Sequence, residues 1–252
     1  MPIILKKPEQ ILLMKEAGRI TGEALLVARD AIRPGISTKE LDSVIHAYIL
    51  KCGAKPSFLG YAGFPGSACI SVNDQIIHGI PSHRVILKEG DIVKVDVGAI
   101  YRGYHGDSAK TFPVGRVSEE AQRLISVTRE CFYLGASLAV VGNRLGDIGA
   151  AIQSHAESNG YGVVRKYVGH GVGTHLHEEP DVPNYGTAGR GCRLYPGMTI
   201  AIEPMVNAGT AAIKESSDGW TVRTADGRLS AHYEHTLAIT DDGPILLTDV
   251  GD

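Results

Sequence analysis

Cysteine is scarce in this chain and widely scattered. Cys52, Cys69, Cys131 and Cys192 form no CxxC pair, which argues against a cysteine-bound zinc site and for free thiols in a reducing compartment. No apolar run approaches the roughly 20 residues that cross a bilayer. Met1 to Gln10 carries two lysines but neither a long apolar stretch nor a cleavage-site pattern, so no signal peptide is read. An excess of one charge is also missing. With 25 basic and 28 acidic residues the net charge is −3, which gives no reason to expect DNA or a membrane surface as partner. Three site signatures are absent as well. His175-Leu176-His177-Glu178 lacks the HExxH spacing, and there is no GxSxG elbow. Gly169-His170-Gly171-Val172-Gly173 runs on into Thr174 and His175, so GxGxxG is not met.

What is present is a 252-residue chain, 43% hydrophobic, with 31 glycines, enough for one large domain or two small ones. Helical apolar spacing runs from about Ile11 to Ile32. Ser37 with Glu40 predicts a capping box for a second helix, which places Leu41, Val44, Ile45 and Tyr48 on one face and closes at Cys52-Gly53. Asp91 to Ile100 reads as a strand. This order then returns 107 positions later. Gly35 matches Gly142, Gly53 matches Gly160, Gly90 matches Gly197, Leu41 matches Ile148 and Ile45 matches Ile152. The agreement of glycines with helix faces predicts an internal duplication.

The same offset pairs Asp96 with Glu203, each late in an apolar strand. In Val93-Lys94-Val95-Asp96-Val97, alternation sets the acid opposite its apolar neighbours. Taken alone, Asp96 reads as part of an exposed face shared with Lys94. Asp107 alone reads as a turn aspartate, Glu203 as a strand end and Glu234 as an exposed strand residue. His170 alone reads as a loop histidine, and His78 and His177 as surface polar groups. Together they offer four carboxylates and an imidazole on short segments with small neighbours. That donor set suits manganese, iron, cobalt or zinc. Four carboxylates are too many for one cation but can bridge two.

Seven segments, in order, resemble the compact bacterial, type I form of the methionine aminopeptidases. They are Ser71-Val72-Asn73-Asp74 leading to His78-Gly79-Ile80-Pro81, Asp91 to Gly98, Gly103 to Asp107, Gly169 to Gly173, His177-Glu178-Glu179-Pro180, Ile202-Glu203-Pro204-Met205 and Tyr233-Glu234-His235-Thr236. The resemblance covers about Ile11 to Leu247. It implies an α+β pita-bread fold, with two pseudo-twofold-related halves, curved antiparallel sheet inside and helices outside. One catalytic domain would span 1–252, with the repeat at approximately 11–107 and 118–240. By the same resemblance Asp96, Asp107, His170, Glu203 and Glu234 would hold two divalent ions (cobalt, manganese, iron, zinc or nickel). Glu203 would also serve as general base for the attacking water, and His78 and His177 would bond the substrate and the oxyanion. Tyr61, Phe64, Cys69, Leu176 and Trp220, with His78 and His177, would bind the substrate. Phe58 stands where the family often has cysteine, Phe64 where it has tyrosine and Leu176 where it has phenylalanine.

The expected activity is removal of the initiator methionine from nascent proteins whose second residue is small. It would be carried out by a cytoplasmic monomer, near the ribosome exit tunnel. Lys214, Arg223 and Arg228 read as solvated surface before they read as ribosome contacts. Two rivals remain: an Xaa-Pro peptidase of the same fold, usually with an extra N-terminal domain, and a catalytically dead module that binds a protein or RNA.

Overall fold

Pro8 starts helix α1 (Pro8–Ala31), because its fixed φ suits the first helical position and its missing N–H would have no partner there. The Gln10 side chain accepts the free Lys7 N–H at 2.8 Å. The expected helix therefore begins about one turn early. Helix α2 (Thr38–Lys51) has the predicted capping box: the Glu40 N–H donates to the Ser37 hydroxyl at 3.1 Å, and the Ser37 N–H donates to the Glu40 carboxylate at 2.9 Å. Leu41 and Ile45 are fully buried, joined by Ile49, whereas Val44 is 38% exposed. Val44 lies about 100° round the helix from Ile45, at the edge of the buried stripe. The computed structural model describes residues 2–251; the expected domain of residues 1–252 reaches one residue outside that range at each end.

The first half continues through β1 (Lys55–Pro56), a single 3-10 turn (Tyr61–Gly63), β2 (Ala68–Val72), β3 (Gln75–Ile77), β4 (Ile92–Tyr101) and β5 (Tyr104–Pro113). Helices α3 (Glu119–Ser137) and α4 (Leu145–Ser158) open the second half. It continues through β6 (Gly162–Val163), β7 (Gly169–Gly171), β8 (Glu178–Val182), β9 (Thr199–Ile202), β10 (Met205–Asn207), β11 (Ile213–Glu215), β12 (Val222–Thr224), β13 (Ser230–His232), β14 (Glu234–Thr240) and β15 (Gly243–Leu246). The main sheet has nine strands in the order β1-β4-β5-β14-β9-β7-β8, with β2 also on β4 and β15 on β14. Its strand pairs are antiparallel. Among the described residues, no helix is long and apolar enough to cross a membrane.

The 107-residue offset recurs in space. Helices α2 and α4 have 14 residues each and start 107 apart. Ser37 bridges Ile86, and Arg144 bridges Arg193. Gly35 and Gly142 have φ of +91° and +94°, a conformation that strains any side chain. That demand accounts for glycine recurring at both positions. Each half has its own core: Ile20, Leu25, Leu41, Ile45, Val93, Val95 and Val97 in the first, and Leu124, Phe132, Ile148, Ile152, Ile200 and Leu237 in the second.

In the main sheet the halves meet where β5 pairs with β14, over only two residue pairs, Glu234 with Ala109 and His235 with Ser108. Hydroxyls extend the seam where the ladder ends. Thr236 Oγ1 donates to the Asp107 carbonyl at 2.8 Å and accepts the Asp107 N–H at 3.1 Å. Thr111 Oγ1 does the same for the His232 carbonyl and N–H, at 2.8 and 2.9 Å. Behind the seam α1 lies directly on backbone. A Cβ on Gly106 would fall 2.7 Å from Gly18 Cα, and one on Gly18 would fall 2.2 Å from the Leu247 carbonyl oxygen.

Neither backbone can yield to a methyl group without moving α1. Gly18→Ala should therefore lower stability by about 1–3 kcal/mol, despite the roughly 1 kcal/mol that alanine gains over glycine in a helix. Urea unfolding reads this directly; an unchanged or higher midpoint would show that α1 does not need this close approach.

Candidate metal centre and its pocket

Sheet register brings the acids together. Asp96 lies opposite Ala109 on β5, and Ala109 lies opposite Glu234 on β14. Asp107 is two positions from Ala109, so it faces the same side. Ile202 pairs with His235, which puts Glu203, the next residue, level with Glu234. His170, in the middle of β7, brings Nε2 to 3.7 Å from Asp107 Oδ2 and 3.6 Å from Glu203 Oε1. Asp107, His170 and Glu234 are buried, and Asp96 and Glu203 are partly so. The face that Asp96 shares with Lys94 is not exposed: Lys94 is fully buried, its ammonium donating to the Asn73 carbonyl at 2.7 Å. The alternation was read correctly, but the side opposite the valines is the interior of the site rather than solvent.

Burial and mutual repulsion dominate the electrostatics. Burial raises the Asp107 carboxyl to about 7. Burial first, then the neighbouring carboxylates, hold Asp96, Glu203 and Glu234 well above the usual range. The ion-pair-range contacts of Asp107, Glu203 and Glu234 include imidazole nitrogens of His170 and His232. Burial pushes both of those rings down to about 3, so they bring no positive charge at neutral pH. The Nδ1–H of His170 donates to the Gly171 carbonyl at 2.9 Å, which leaves a lone pair on Nε2 facing the acids. Asp96 Oδ1, Asp107 Oδ1 and Glu234 Oε1 are buried without a hydrogen bond.

Such a donor set calls for divalent cations. Among the described residues, two groups have one ligand atom from each residue within 4.8 Å of the others: Asp107, His170 and Glu234, and Glu203, His232 and Glu234. Oxygen donors with imidazole match first-row divalent ions, and the unbonded oxygens are the atoms such ions would take up.

The acids form one end of a pocket of about 400 Å³. The other end is apolar. Phe58, Phe64, Cys69 and Leu176 are buried there, with Ile80 and Trp220 packed against them. Phe64 and Trp220 meet edge to face, with ring centroids 5.1 Å apart. Phe58, Phe64 and Leu176, the three positions expected to depart from the family pattern, thus all line the pocket and keep it apolar. His78, at φ +58°, stacks edge-on against Tyr167 at 5.7 Å and Trp220 at 6.4 Å. His177 sits at the exposed rim, its ring 4.1 Å from that of His170 and its Nδ1 2.7 Å from the hydroxyl of half-exposed Tyr61. Behind it Glu178 forms a buried ion pair with Lys6 at 2.5 Å.

All twelve residues named from the sequence line this one pocket. Lys166, Tyr167 and Asp181 also line it and were missed, because nothing in their local pattern marks a site. His232 was missed too, although its position two residues before Glu234 in an extended segment was a usable signal. Arg223 pairs with Asp74 at 2.9 Å and Arg228 with Glu120 at 2.7 Å.

The family model described as metallopeptidase family M24 matches residues 12–241. A curated methionine aminopeptidase of Clostridium acetobutylicum is 54% identical over 246 residues, 98% of each chain. The solved methionine aminopeptidase of Thermotoga maritima superimposes with a TM-score of 0.97 at 45% identity, covering 98% of this chain and 100% of that one. The prolidase of Pyrococcus furiosus superimposes at 0.81 with 24% identity, covering 99% of this chain and 66% of its own, a likeness of fold alone. The fold these chains share is the pita-bread architecture.

If the acids hold cations, loading must stabilise the fold by mass action. Chelator-stripped protein given cobalt(II) at 100 times its Kd should gain about 2.7 kcal/mol, seen as a rise in melting temperature. No rise with cobalt, manganese or zinc would remove the acids as a cation site.

Proposed function

The chain belongs to metallopeptidase family M24, and from that premise we propose how its residues remove an N-terminal methionine. It is a metal-dependent aminopeptidase acting on that residue. The observation that carries the residue assignments is the single pocket, apolar and aromatic at one end and acidic at the other. Asp107 and Glu234 would each reach both of two divalent ions. Asp96 would complete one site, and His170 with Glu203 the other. Once bound, such ions polarise the scissile carbonyl and lower the pKa of a water; whether they are cobalt, manganese, iron, zinc or nickel depends on supply as well as on ligands.

The rest falls to side chains. The methionine side chain enters between Phe58, Phe64, Cys69, Leu176 and Trp220, where sulfur against an aromatic ring contributes about 0.3–1.5 kcal/mol. The free amine turns toward the acids, which limits cleavage to the first residue. Glu203 takes a proton from the attacking water and passes it to the leaving nitrogen. With the Tyr61 hydroxyl as donor in its 2.7 Å contact with His177 Nδ1, the ring proton would sit on Nε2, ready to bond the developing oxyanion. His78 donates to the substrate peptide. Tyr61, His78, Tyr167 and His177 line the same pocket, which supports a small second residue. Nascent chains are the substrate this reaction serves, met at the ribosome exit tunnel in the cytoplasm by a monomer. An intact donor set weighs against a dead binding module.

Stripped protein, reloaded with each metal in turn, should release methionine from a Met-Gly peptide, little from Met-Leu, and nothing from an Xaa-Pro peptide. In the same assay Glu203→Ala should abolish turnover; near-wild-type release by that variant would refute its role. His177→Ala should lower kcat by roughly 10²–10³, the scale of one lost oxyanion donor, with metal content unchanged. Loss of metal from that variant would instead make His177 a ligand.

A further inference from the structure

His232 has no assigned task, yet it is among the most confined side chains in the molecule. It is 1% exposed, and neither ring nitrogen makes a hydrogen bond. A buried polar group left unbonded is costly. Its backbone is fixed on both sides by Thr111 Oγ1 and pairs with Met205 across β10 and β13. The ring therefore has a set direction. Its Nε2 lies 3.5 Å from Glu203 Oε2 and 3.9 Å from Glu234 Oε2.

Glu203 stands between two imidazoles. Its Oε1 is 3.6 Å from His170 Nε2, and its Oε2 is the oxygen near His232. The two rings differ in one respect. His170 Nδ1 has an acceptor in the Gly171 carbonyl, the second bond that a metal-ligating histidine almost always makes. His232 Nδ1 has none. A proton on Nδ1 of His232 would be stranded, so the proton belongs on Nε2, which then faces a carboxylate oxygen as a donor.

We propose that His232 is a positioning residue, its Nε2–H donating to Glu203 Oε2 and holding that carboxylate while Oε1 stays on the His170 side. The inference rests on the reading of Glu203 as a working member of the centre. It predicts that any side chain with an N–H donor at that height will serve, and that an apolar one will not.

The test compares His232→Ala, His232→Gln and Glu203→Gln, each checked for folding by its melting temperature. In His232→Ala the cobalt(II) affinity measured by calorimetry should fall about 10–100-fold, and kcat on a Met-Gly peptide should fall on the same scale with KM unchanged. His232→Gln should restore both. The X-ray absorption fine structure of the cobalt-loaded wild type should show one imidazole in the coordination sphere, that of His170. Two ligated imidazoles, one of them lost in His232→Ala, would make His232 a ligand and overturn the proposal. A folded His232→Ala variant with wild-type affinity and kcat, beside an impaired Glu203→Gln, would overturn this inference alone. Wild-type turnover and affinity in Glu203→Gln would overturn the reading of Glu203 and this inference with it. If His232→Ala does not fold, His232→Gln and the count of ligated imidazoles decide: loss of activity in the glutamine variant, or a second ligated imidazole, overturns the proposal.

Discussion

Mutual repulsion among four carboxylates in one pocket is the constraint around which the rest of this structure is arranged. Removed from water, such groups resist ionisation, and burial holds all four of these above their usual range. Two buried imidazoles beside them stay neutral for the same reason. The cluster persists because the backbone that carries it is over-determined. Asp96 and Glu234 are set by ladder register through Ala109, and Asp107 is held by Thr236 through both its N–H and its carbonyl. The Asn184 amide donates to the Glu203 carbonyl at 3.0 Å. A divalent cation bound there would relieve the repulsion that this framework sustains.

The helices supply that framework at a distance. Each half-sheet buries one face against its own pair of helices and turns the other toward the site. The valines of β4 belong to the first core, so Lys94 and Asp96 are left to the far side. The apolar pocket, with Phe58, Phe64, Cys69 and Leu176, is a separate small cluster. Its composition can therefore vary, as Phe58, Phe64 and Leu176 do here, without disturbing either large core.

The parts legible in the sequence are those governed by local rules. Ser37 with Glu40 marked a helix start because capping is a matter of four consecutive residues. Gly35 and Gly142 marked the repeat because a positive φ admits little else. The acids were nominated by combining the repeat with the family resemblance, and the structure gathers them in one pocket. What escaped depends on contacts between distant segments. The burial of Lys94 depends on the Asn73 loop, which no strand pattern reveals. Tyr167 lines the pocket only because it packs on His78, 89 positions earlier in the sequence. His232 takes its place from Thr111, 121 residues away. Val44 satisfied the helical period but fell at the margin of the stripe, where tertiary geometry decides.

The two halves look like copies, but they are no longer self-sufficient. The arm before α1 crosses to the second half: the Lys6 N–H donates to the Gly197 carbonyl at 2.7 Å, and its ammonium is buried against Glu178. In return the chain near its end lies on the first helix, with the Leu247 and Thr248 carbonyls against Gly18 and Gly22. Each terminus thus acts as a clasp on the opposite repeat. Chain cleaved between the repeats would give one fragment carrying an arm with nothing to grip and another lacking the lysine for Glu178. The pocket is divided in the same way, since Asp96 and Asp107 come from one half and His170, Glu203 and Glu234 from the other. The two halves are interdependent, and either one alone would have neither a closed fold nor the full set of candidate donors.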